Sequence, residues 1–125
     1  AIVELDEVSK NNTGLNLTIA INYGARDEMM RAMRKAMQDA KDGKFLIEEF
    51  SEDMFAGYLD TKGMPEPDLL IRTSGEQRLS NFLLWQLAYT EFYFTDVLWP
   101  DFDKEELWKA IQYYNNRERR YGGLA

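Results

Sequence analysis

Two residue types with distinctive chemistry are missing from this 125-residue sequence, which contains no cysteine and no histidine. Without cysteine, the chain cannot form disulfides, thiolate nucleophiles, thiolate zinc sites or iron–sulfur clusters. Without histidine, it cannot form a Ser-His-Asp triad, an H-E-x-x-H metallopeptidase site or an imidazole base. Any chemistry must therefore use carboxylates, arginines, hydroxyls or backbone amides, and any metal should be a hard cation bound by oxygen.

Several sequence patterns are also missing. No apolar run approaches the roughly 20 residues that span a bilayer, and no signal peptide opens the sequence. Neither G-x-G-x-x-G nor G-x-x-x-x-G-K-[ST] occurs, so dinucleotide and P-loop nucleotide binding have no support. The net charge of −7 argues against nucleic acid as a partner. We expect a cytoplasmic protein, and because the sequence opens on Ala1 rather than Met, we expect part of a longer chain.

The length is that of a single domain, and 45% of the residues are hydrophobic, which is enough to fill a core. Apolar strand-like and helical-period segments alternate along the chain without repeats or linkers. Strands separated by helices indicate an α/β fold, with a mainly parallel sheet and helices on both faces. The predicted strands are 15–22, 68–73 and 92–97, and the predicted helices are 1–10, 25–42, 51–59, 81–89 and 101–118.

Capping residues and periodicity refine these elements. Ser51 stands where an N-cap is expected, and Asp103 with Glu106 resembles a capping box. Residues 45–50 fit either an extension of the neighbouring helix or an extended segment. Three methionines recur at helical spacing in 25–42 and are predicted to fill the core rather than to form a cofactor site. They are Met29, Met33 and Met37.

The negative charge is unevenly distributed. Residues 41–68 hold eight acids and three bases, and residues 91–106 hold six acids and one base. By contrast, 72–78 holds two arginines and one acid, and 117–120 holds three arginines and one acid. Two compact arginine centres therefore stand in an acidic background.

The first arginine centre has the position of an anion site. Arg72 ends a predicted strand, and Arg78 and Ser80 come just before a predicted helix. Ligands of open α/β sheets gather beyond the carboxyl ends of strands, and helix N-termini attract anions. Guanidinium groups bind phosphate oxygens through paired hydrogen bonds, and Gly75 lets the backbone approach a ligand closely. We hypothesise a phosphate or diphosphate site, and the alternative is that both arginines pair with Glu76 or other acids.

Two further charged positions have more than one interpretation. Glu91 lies between an apolar helix and an apolar strand, so its carboxylate either faces solvent or helps to hold Mg²⁺ against a diphosphate. The arginines of 117–120 complement the negative C-terminal end of a helix, which is the ordinary reason to find them there.

The ordered series of motifs resembles a known protein family. The resemblance covers nearly the whole chain, from 22–26 through 71–86 and 89–94 to the C-terminal motifs. Its most specific parts resemble the second half of the cis-prenyltransferases, most closely the bacterial undecaprenyl diphosphate synthases. These parts read Arg72-Thr73-Ser74-Gly75-Glu76-Gln77-Arg78-Leu79-Ser80-Asn81, Trp99-Pro100-Asp101-Phe102 and Arg117-Glu118-Arg119-Arg120-Tyr121-Gly122-Gly123.

The resemblance implies a chemistry and a set of site residues. The family condenses isopentenyl diphosphate onto an allylic diphosphate, usually farnesyl diphosphate, with Mg²⁺ and cis stereochemistry. The bacterial product is the undecaprenyl lipid carrier of cell-wall synthesis, and the enzyme is a homodimer that works at the inner membrane surface. The implied roles are diphosphate binding by Arg72, Arg78, Leu79 and Ser80, support of the arginines by Glu76, magnesium binding by Glu91, and contact with a partner subunit's site by Arg120 and Gly122.

One departure separates the chain from the family pattern. The D-G-N-G-R-W segment of the family's first half, which carries the catalytic Asp, does not occur here. We therefore expect residues 1–125 to be a single incomplete domain, the C-terminal part of the cis-prenyltransferase fold, without turnover of its own. The alternatives are a non-catalytic subunit of a two-component cis-prenyltransferase and an α/β phosphate-binding or interaction module.

Overall fold

The computed structural model describes residues 2–117, apart from the side chains of Ile2 and Asp6. None of the helices in this part of the chain has the length and apolar content needed to cross a bilayer. The elements are α1 (Ile2–Ser9), α2 (Ala25–Lys41), α3 (Glu52–Ala56), β1 (Leu69–Arg72), β2 (Glu91–Phe94) and α4 (Lys104–Asn115), with 3₁₀ turns at Ile47–Glu49 and Trp99–Asp101.

Strands β1 and β2 pair in parallel, as the alternation of strands and helices predicts. Leu69 lies opposite Glu91 at the amino end of the sheet, and Arg72 lies opposite Phe94 at the carboxyl end. Parallel pairing requires a long connection between the strands, and residues 73–90 supply it. The α/β prediction is confirmed, and both strands are shorter than the sequence predicts.

A hydrophobic core cluster lies between α2 and α3. Ala32 and Phe55 are buried together with Leu59, and the ring of Phe55 meets that of Trp85 edge to face with centroids 4.7 Å apart. Helix α4 covers β2, where Ala110 is fully buried. Small residues on α2 and α4 let the helix backbones approach their neighbours closely.

The methionines of α2 are not the buried stripe of that helix. Met33 is 39% exposed and Met37 is 72% exposed, while Met29 packs at the margin of the core. The prediction that they fill the core is therefore wrong for Met33 and Met37. The stripe that is buried passes one position earlier, through Ala25, Glu28, Ala32 and Ala36.

The predicted strand at 15–22 is not a strand in the structure. No residue of this segment pairs with another strand among residues 2–117. Its apolar side chains are exposed, from 66% at Ile19 to 91% at Leu15. A strand needs a hydrogen-bonding neighbour as well as an apolar pattern, and the described part of the chain provides none.

The predicted helix at 81–89 is also absent, and a series of turns takes its place. Asn81 has a φ of 64° and Leu83 has a φ of 45°, which are left-handed conformations that a right-handed α-helix cannot contain. The apolar pattern of this segment is real, since Gln86 and Leu87 are buried. The backbone conformation is set by tertiary contacts of Asn81 rather than by helix propensity.

The predicted helix caps at Ser51 and Asp103 are confirmed. Ser51 Oγ accepts a hydrogen bond from Met54 N at 3.2 Å. Asp103 Oδ1 accepts from the backbone nitrogens of Glu105 and Glu106, at 2.9 and 3.0 Å. Glu106 does not complete the capping box, because its carboxylate pairs with Lys109. Within residues 45–50, Ile47–Glu49 form a 3₁₀ turn between Leu46 and Phe50, which are both extended, so the segment does not extend the neighbouring helix.

Candidate functional site

Strand β1 brings Arg72 to the carboxyl end of the sheet. Arg72 is the last residue of β1, and its carbonyl oxygen accepts a hydrogen bond from Thr95 N at 2.9 Å. The residue is half-buried, and within residues 2–117 it forms no ion pair with a carboxylate. A partly exposed guanidinium without an acidic partner is available to bind an incoming anion.

The segment 73–81, here named the site loop, leaves β1 through two left-handed residues. Ser74 has a φ of 66° and Gly75 a φ of 69°. Their backbone nitrogens donate to the carbonyl oxygens of Val97 and Thr95, at 2.8 and 3.0 Å. A Cβ at Gly75 would lie 3.1 Å from Asp96 Oδ1, so the close neighbour of this glycine is a carboxylate. Left-handed residues outside glycine are uncommon and concentrate at functional sites.

The middle of the site loop carries an ion pair between Glu76 and Arg78. The Arg78 side chain is 66% exposed, and an exposed pair of this kind contributes only about 0–1 kcal/mol. The ion pair therefore holds Arg78 only weakly. Of the two interpretations drawn from the sequence, pairing with an acid holds for Arg78 and not for Arg72.

The far end of the site loop is attached to the N-terminus of α2. Asn81 Oδ1 accepts a hydrogen bond from Arg26 N at 2.9 Å, and the Asn81 carbonyl oxygen accepts from Ala25 N at 2.8 Å. Ser80 and Asn81 are both left-handed, with φ of 49° and 64°. Asn81 therefore caps α2 and begins no helix of its own.

A buried polar network lies behind this attachment. Glu28 is 1% exposed, and its carboxylate accepts from Tyr23 Oη, from Asp60 N at 2.8 Å and from Gln86 Nε2 at 3.2 Å. Gln86 Nε2 also donates to Thr61 Oγ1 at 3.0 Å. Burial, followed by the hydrogen bond to Glu28, raises the pKa of Tyr23 above its ordinary value. The network ties α2 to the segment that follows the site loop.

One feature of the sequence, the helical spacing of Glu28, indicates that this residue is buried. Glu28 stands at helical spacing with Ala25, Ala32 and Ala36, which places it on the buried face of α2. An acid in the first turn of a helix is usually explained by its interaction with the helix dipole. That explanation does not predict that Glu28 is buried.

Glu91 lies at the opposite end of the sheet from Arg72. It opens β2 beside Leu69, and because a strand advances about 3.3 Å per residue, the two positions are about 10 Å apart along the sheet. Glu91 Oε2 accepts a hydrogen bond from Arg117 Nε at 3.1 Å, just beyond the end of α4. The structure therefore brings Glu91 together with Arg117 rather than with the first arginine centre.

The acidic side chains do not form a metal site by themselves in the part of the chain that the structure describes. No group of three or more such side chains there could hold a metal ion. The carboxylates of Glu76 and Glu91 are each ion-paired with an arginine. Arg120 and Gly122, which the resemblance assigns to a partner's site, lie outside the described residues.

Known proteins resemble this chain in sequence. Residues 1–122 match the family model described as undecaprenyl diphosphate synthase. The isoprenyl transferase of Clostridium perfringens is 56% identical over 124 residues, which is 99% of this chain and 49% of the relative. The ditrans,polycis-undecaprenyl-diphosphate synthase of Micrococcus luteus, named as (2E,6E)-farnesyl-diphosphate specific, is 52% identical over 99% of this chain and 50% of the relative. The chain thus spans about half the length of the curated relatives it matches.

Solved structures resemble it in fold. The lavandulyl diphosphate synthase from Lavandula x intermedia, solved in complex with dimethylallyl diphosphate, has a TM-score of 0.92 and 41% identity, covering 98% of this chain and 52% of the other. A probable undecaprenyl diphosphate synthase from Campylobacter jejuni has a TM-score of 0.78 and 37% identity, covering 98% of this chain and 54% of the other. The sequence relatives and the structural neighbours therefore each match nearly the whole of this chain.

Proposed function

Because the chain belongs to the undecaprenyl diphosphate synthase family, we propose that it supplies the isopentenyl diphosphate site of a cis-prenyltransferase. The complete reaction condenses isopentenyl diphosphate onto an allylic diphosphate such as farnesyl diphosphate, giving undecaprenyl diphosphate, a lipid carrier of cell-wall synthesis. Two observations on relatives support this substrate class. One relative is named as a farnesyl-diphosphate-specific synthase, and one solved structure contains dimethylallyl diphosphate.

The observation that carries the proposal is the environment of Arg72. A half-buried guanidinium without a carboxylate partner in residues 2–117 stands at the carboxyl end of β1. The site loop follows immediately and contains Arg78 and Ser80, with a left-handed backbone near both of its ends. The carboxyl ends of parallel strands are where α/β proteins bind ligands. Charge and position therefore both favour a diphosphate there.

In this proposal the chain acts by position and charge. Arg72 and Arg78 donate hydrogen bonds to the diphosphate oxygens, and the Ser80 hydroxyl and the Leu79 backbone complete the set. Glu76 holds Arg78 before the substrate arrives, at the low cost expected of an exposed ion pair. Fixing the diphosphate orients the isopentenyl double bond toward an allylic partner, which lowers the entropic cost of the condensation.

Mg²⁺ enters the proposal only through the family resemblance. The described residues do not fit a metal site of their own, since no acidic cluster forms and Glu91 is paired with Arg117. When bound, Mg²⁺ would neutralise diphosphate charge. Glu91, to which the resemblance assigns Mg²⁺ binding, would have to leave Arg117 to bind the metal, and we assign no step to the metal.

The proposal also includes a homodimer that works at the inner membrane surface. It rests on the motif that contains Arg120 and Gly122, which resembles the family element that reaches a partner subunit's active site. The product is a long apolar chain with a charged head, and such a molecule partitions to a membrane.

Calorimetric titration with isopentenyl diphosphate in the presence of Mg²⁺ tests the site. Arg72→Ala and Arg78→Ala should each weaken binding by about tenfold or more, because each removes a charge-assisted contact to the diphosphate. Arg34→Ala is the matched control, since Arg34 is exposed on α2 outside the site loop. Parental affinity in Arg72→Ala and Arg78→Ala would refute the assignment.

The same titration separates the alternatives. A phosphate-binding module of other specificity should bind inorganic diphosphate as tightly as isopentenyl diphosphate, and a non-catalytic scaffold subunit should bind neither. The 125 residues alone should give no product from farnesyl and isopentenyl diphosphates, because the segment that carries the family's catalytic Asp is absent from them. Elongation by this chain alone would overturn that part of the proposal.

A further inference from the structure

We propose that Asn81 is a positioning residue of the isopentenyl diphosphate site, which holds Ser80 and the end of the site loop by capping α2. The inference rests on the proposed function. Its basis is that α2 receives its cap from a residue 55 positions further along the chain. Gly24, at the N-cap position of α2, has no side chain with which to cap it.

Asn81 holds α2 with two different acceptors. Its side-chain Oδ1 accepts from Arg26 N at 2.9 Å, and its backbone carbonyl accepts from Ala25 N at 2.8 Å. Consecutive amides of one helix therefore fix both the side chain and the peptide plane of one loop residue. A residue held in this way has little freedom to change its backbone conformation.

That conformation determines the position of Ser80. Ser80 and Asn81 have φ of 49° and 64°, and left-handed residues in succession are strained unless the surroundings hold them. Asparagine tolerates this region better than most residues, whereas serine has no such advantage. The geometry of Ser80 therefore depends on the attachment of its neighbour, and Ser80 is one of the proposed diphosphate ligands.

Residues from both segments fit closely where Asn81 meets the N-terminus of α2. A Cβ at Gly24 would lie 2.9 Å from Asn81 Nδ2, so a larger residue at this position would displace the Asn81 amide. Its φ of −146° is ordinary for any residue. The rings of Tyr23 and Phe82, next in sequence to Gly24 and Asn81, pack edge to face with centroids 5.8 Å apart. A close fit of this kind resists sliding of the loop along the helix.

The cap also affects how the substrate is held. Free amides at a helix N-terminus bind anions, but Asn81 already occupies the first two amides of α2. These two amides therefore hold the site loop through Asn81 and are not free to bind the diphosphate themselves.

The test compares KM and kcat among variants of the protein in the form in which its source organism makes it. Asn81→Ala should raise KM for isopentenyl diphosphate about tenfold and leave kcat within about threefold, because the binding-competent loop becomes less populated. Asn81→Asp keeps the acceptor at a helix end that favours negative charge, so KM should return to within about threefold of the parent. Asn16→Ala is the control, because Asn16 is exposed and distant in sequence from the site loop.

A double-mutant cycle separates positioning from general stability. If Asn81 acts through Ser80, Asn81→Ala should add little to the KM of Ser80→Ala, whereas additive effects would overturn the inference. If Asn81→Ala fails to fold, Gly24→Ala decides, because it displaces the Asn81 amide and should also raise KM. Parental KM in Gly24→Ala would overturn the inference.

The outcome also distinguishes this inference from the proposed function. Parental affinity in Arg72→Ala would refute the diphosphate site itself. Weakened binding in Arg72→Ala together with parental KM in Asn81→Ala would leave the site in place and remove only the role of Asn81.

Discussion

At the level of single residues, Glu28 is an acidic side chain in the interior of the fold. It is 1% exposed, and the described donors to its carboxylate are neutral: a phenol, a side-chain amide and a backbone nitrogen. Such a network is favourable only when its members stay paired, and it specifies one arrangement of the segments that carry them. Glu28 thereby links α2 to Tyr23 and to Gln86, on either side of the cap described above.

Stability should fall at alkaline pH because of Tyr23. Burial and then the hydrogen bond to Glu28 raise the pKa of Tyr23 above its ordinary value of 10.0. A group whose pKa is higher in the folded state stabilises fully below its unfolded pKa, and this contribution is lost as pH rises through the folded pKa. The free energy of unfolding should therefore decrease above about pH 10, and less steeply in Tyr23→Phe.

Urea unfolding between about pH 8 and pH 11 measures this slope. Tyr89→Phe is the control and should keep the parental slope, because Tyr89 is 74% exposed. Part of the slope should persist in Tyr23→Phe, since the hydrogen bond to Asp39 also raises the pKa of Tyr58. Identical slopes for the parent and Tyr23→Phe would contradict the prediction.

At the level of elements, α4 packs on β2 and is held at both of its ends. The helix begins at the cap of Asp103, packs on β2 through Ala110, and is followed by the pair of Arg117 with Glu91. The ring of Tyr113 lies against that of Tyr93 with centroids 5.3 Å apart. The stability of α4 is therefore coupled to that of β2, the strand that carries Glu91.

Asp103→Ala should lower the free energy of unfolding by about 1 kcal/mol. Its carboxylate satisfies the backbone nitrogens of Glu105 and Glu106, which would otherwise lack a partner in the helix. Thermal unfolding followed by circular dichroism measures the effect. Asp103→Asn retains an acceptor and should unfold close to the parental midpoint. An Asp103→Ala variant as stable as Asp103→Asn would show that the cap contributes nothing.

At the level of the whole molecule, the segment 13–23 exposes apolar side chains, since Leu17 and Ile21 are 76% and 69% exposed. None of its residues belongs to a strand in the described range 2–117. An extended apolar segment with free backbone groups readily pairs with another chain.

We therefore expect the 125-residue chain to associate beyond a dimer as its concentration rises. A double variant, Leu17→Lys with Ile19→Lys, should reduce this association, because charges on an unpaired edge oppose strand addition. Thr18→Lys places a charge on the other side of the same segment and should have less effect. Sedimentation velocity over a concentration series measures the mass. A parent that never exceeds two chains would refute the expectation.

Local signals were sufficient for several parts of the fold and site. The caps of α3 and α4 could be predicted because a capping side chain and its helix are adjacent in sequence. The parallel pair of strands follows from their alternation with helical segments, and that pairing places Arg72 at a carboxyl end. These features depend only on which residues follow one another along the chain.

Other features depend on partners that are distant in sequence. Residues 15–22 have a strand's pattern but no strand beside them in residues 2–117, and residues 81–89 have a helix's apolar pattern. The left-handed backbone at Asn81, held by contacts with α2, excludes that helix. Likewise, the sequence identifies Glu91 as a charged residue between apolar segments, but only the register of the sheet separates it from Arg72.

The family, the α/β class and the arginine centre can therefore be identified from the sequence, since they depend on residue identity and order. The tertiary structure decided which arginine is paired, which helix Asn81 caps and where Glu28 is buried. The physical reason is that hydrogen bonds and ion pairs are made between groups that are close in space. Closeness in space between residues far apart in the chain exists only after folding.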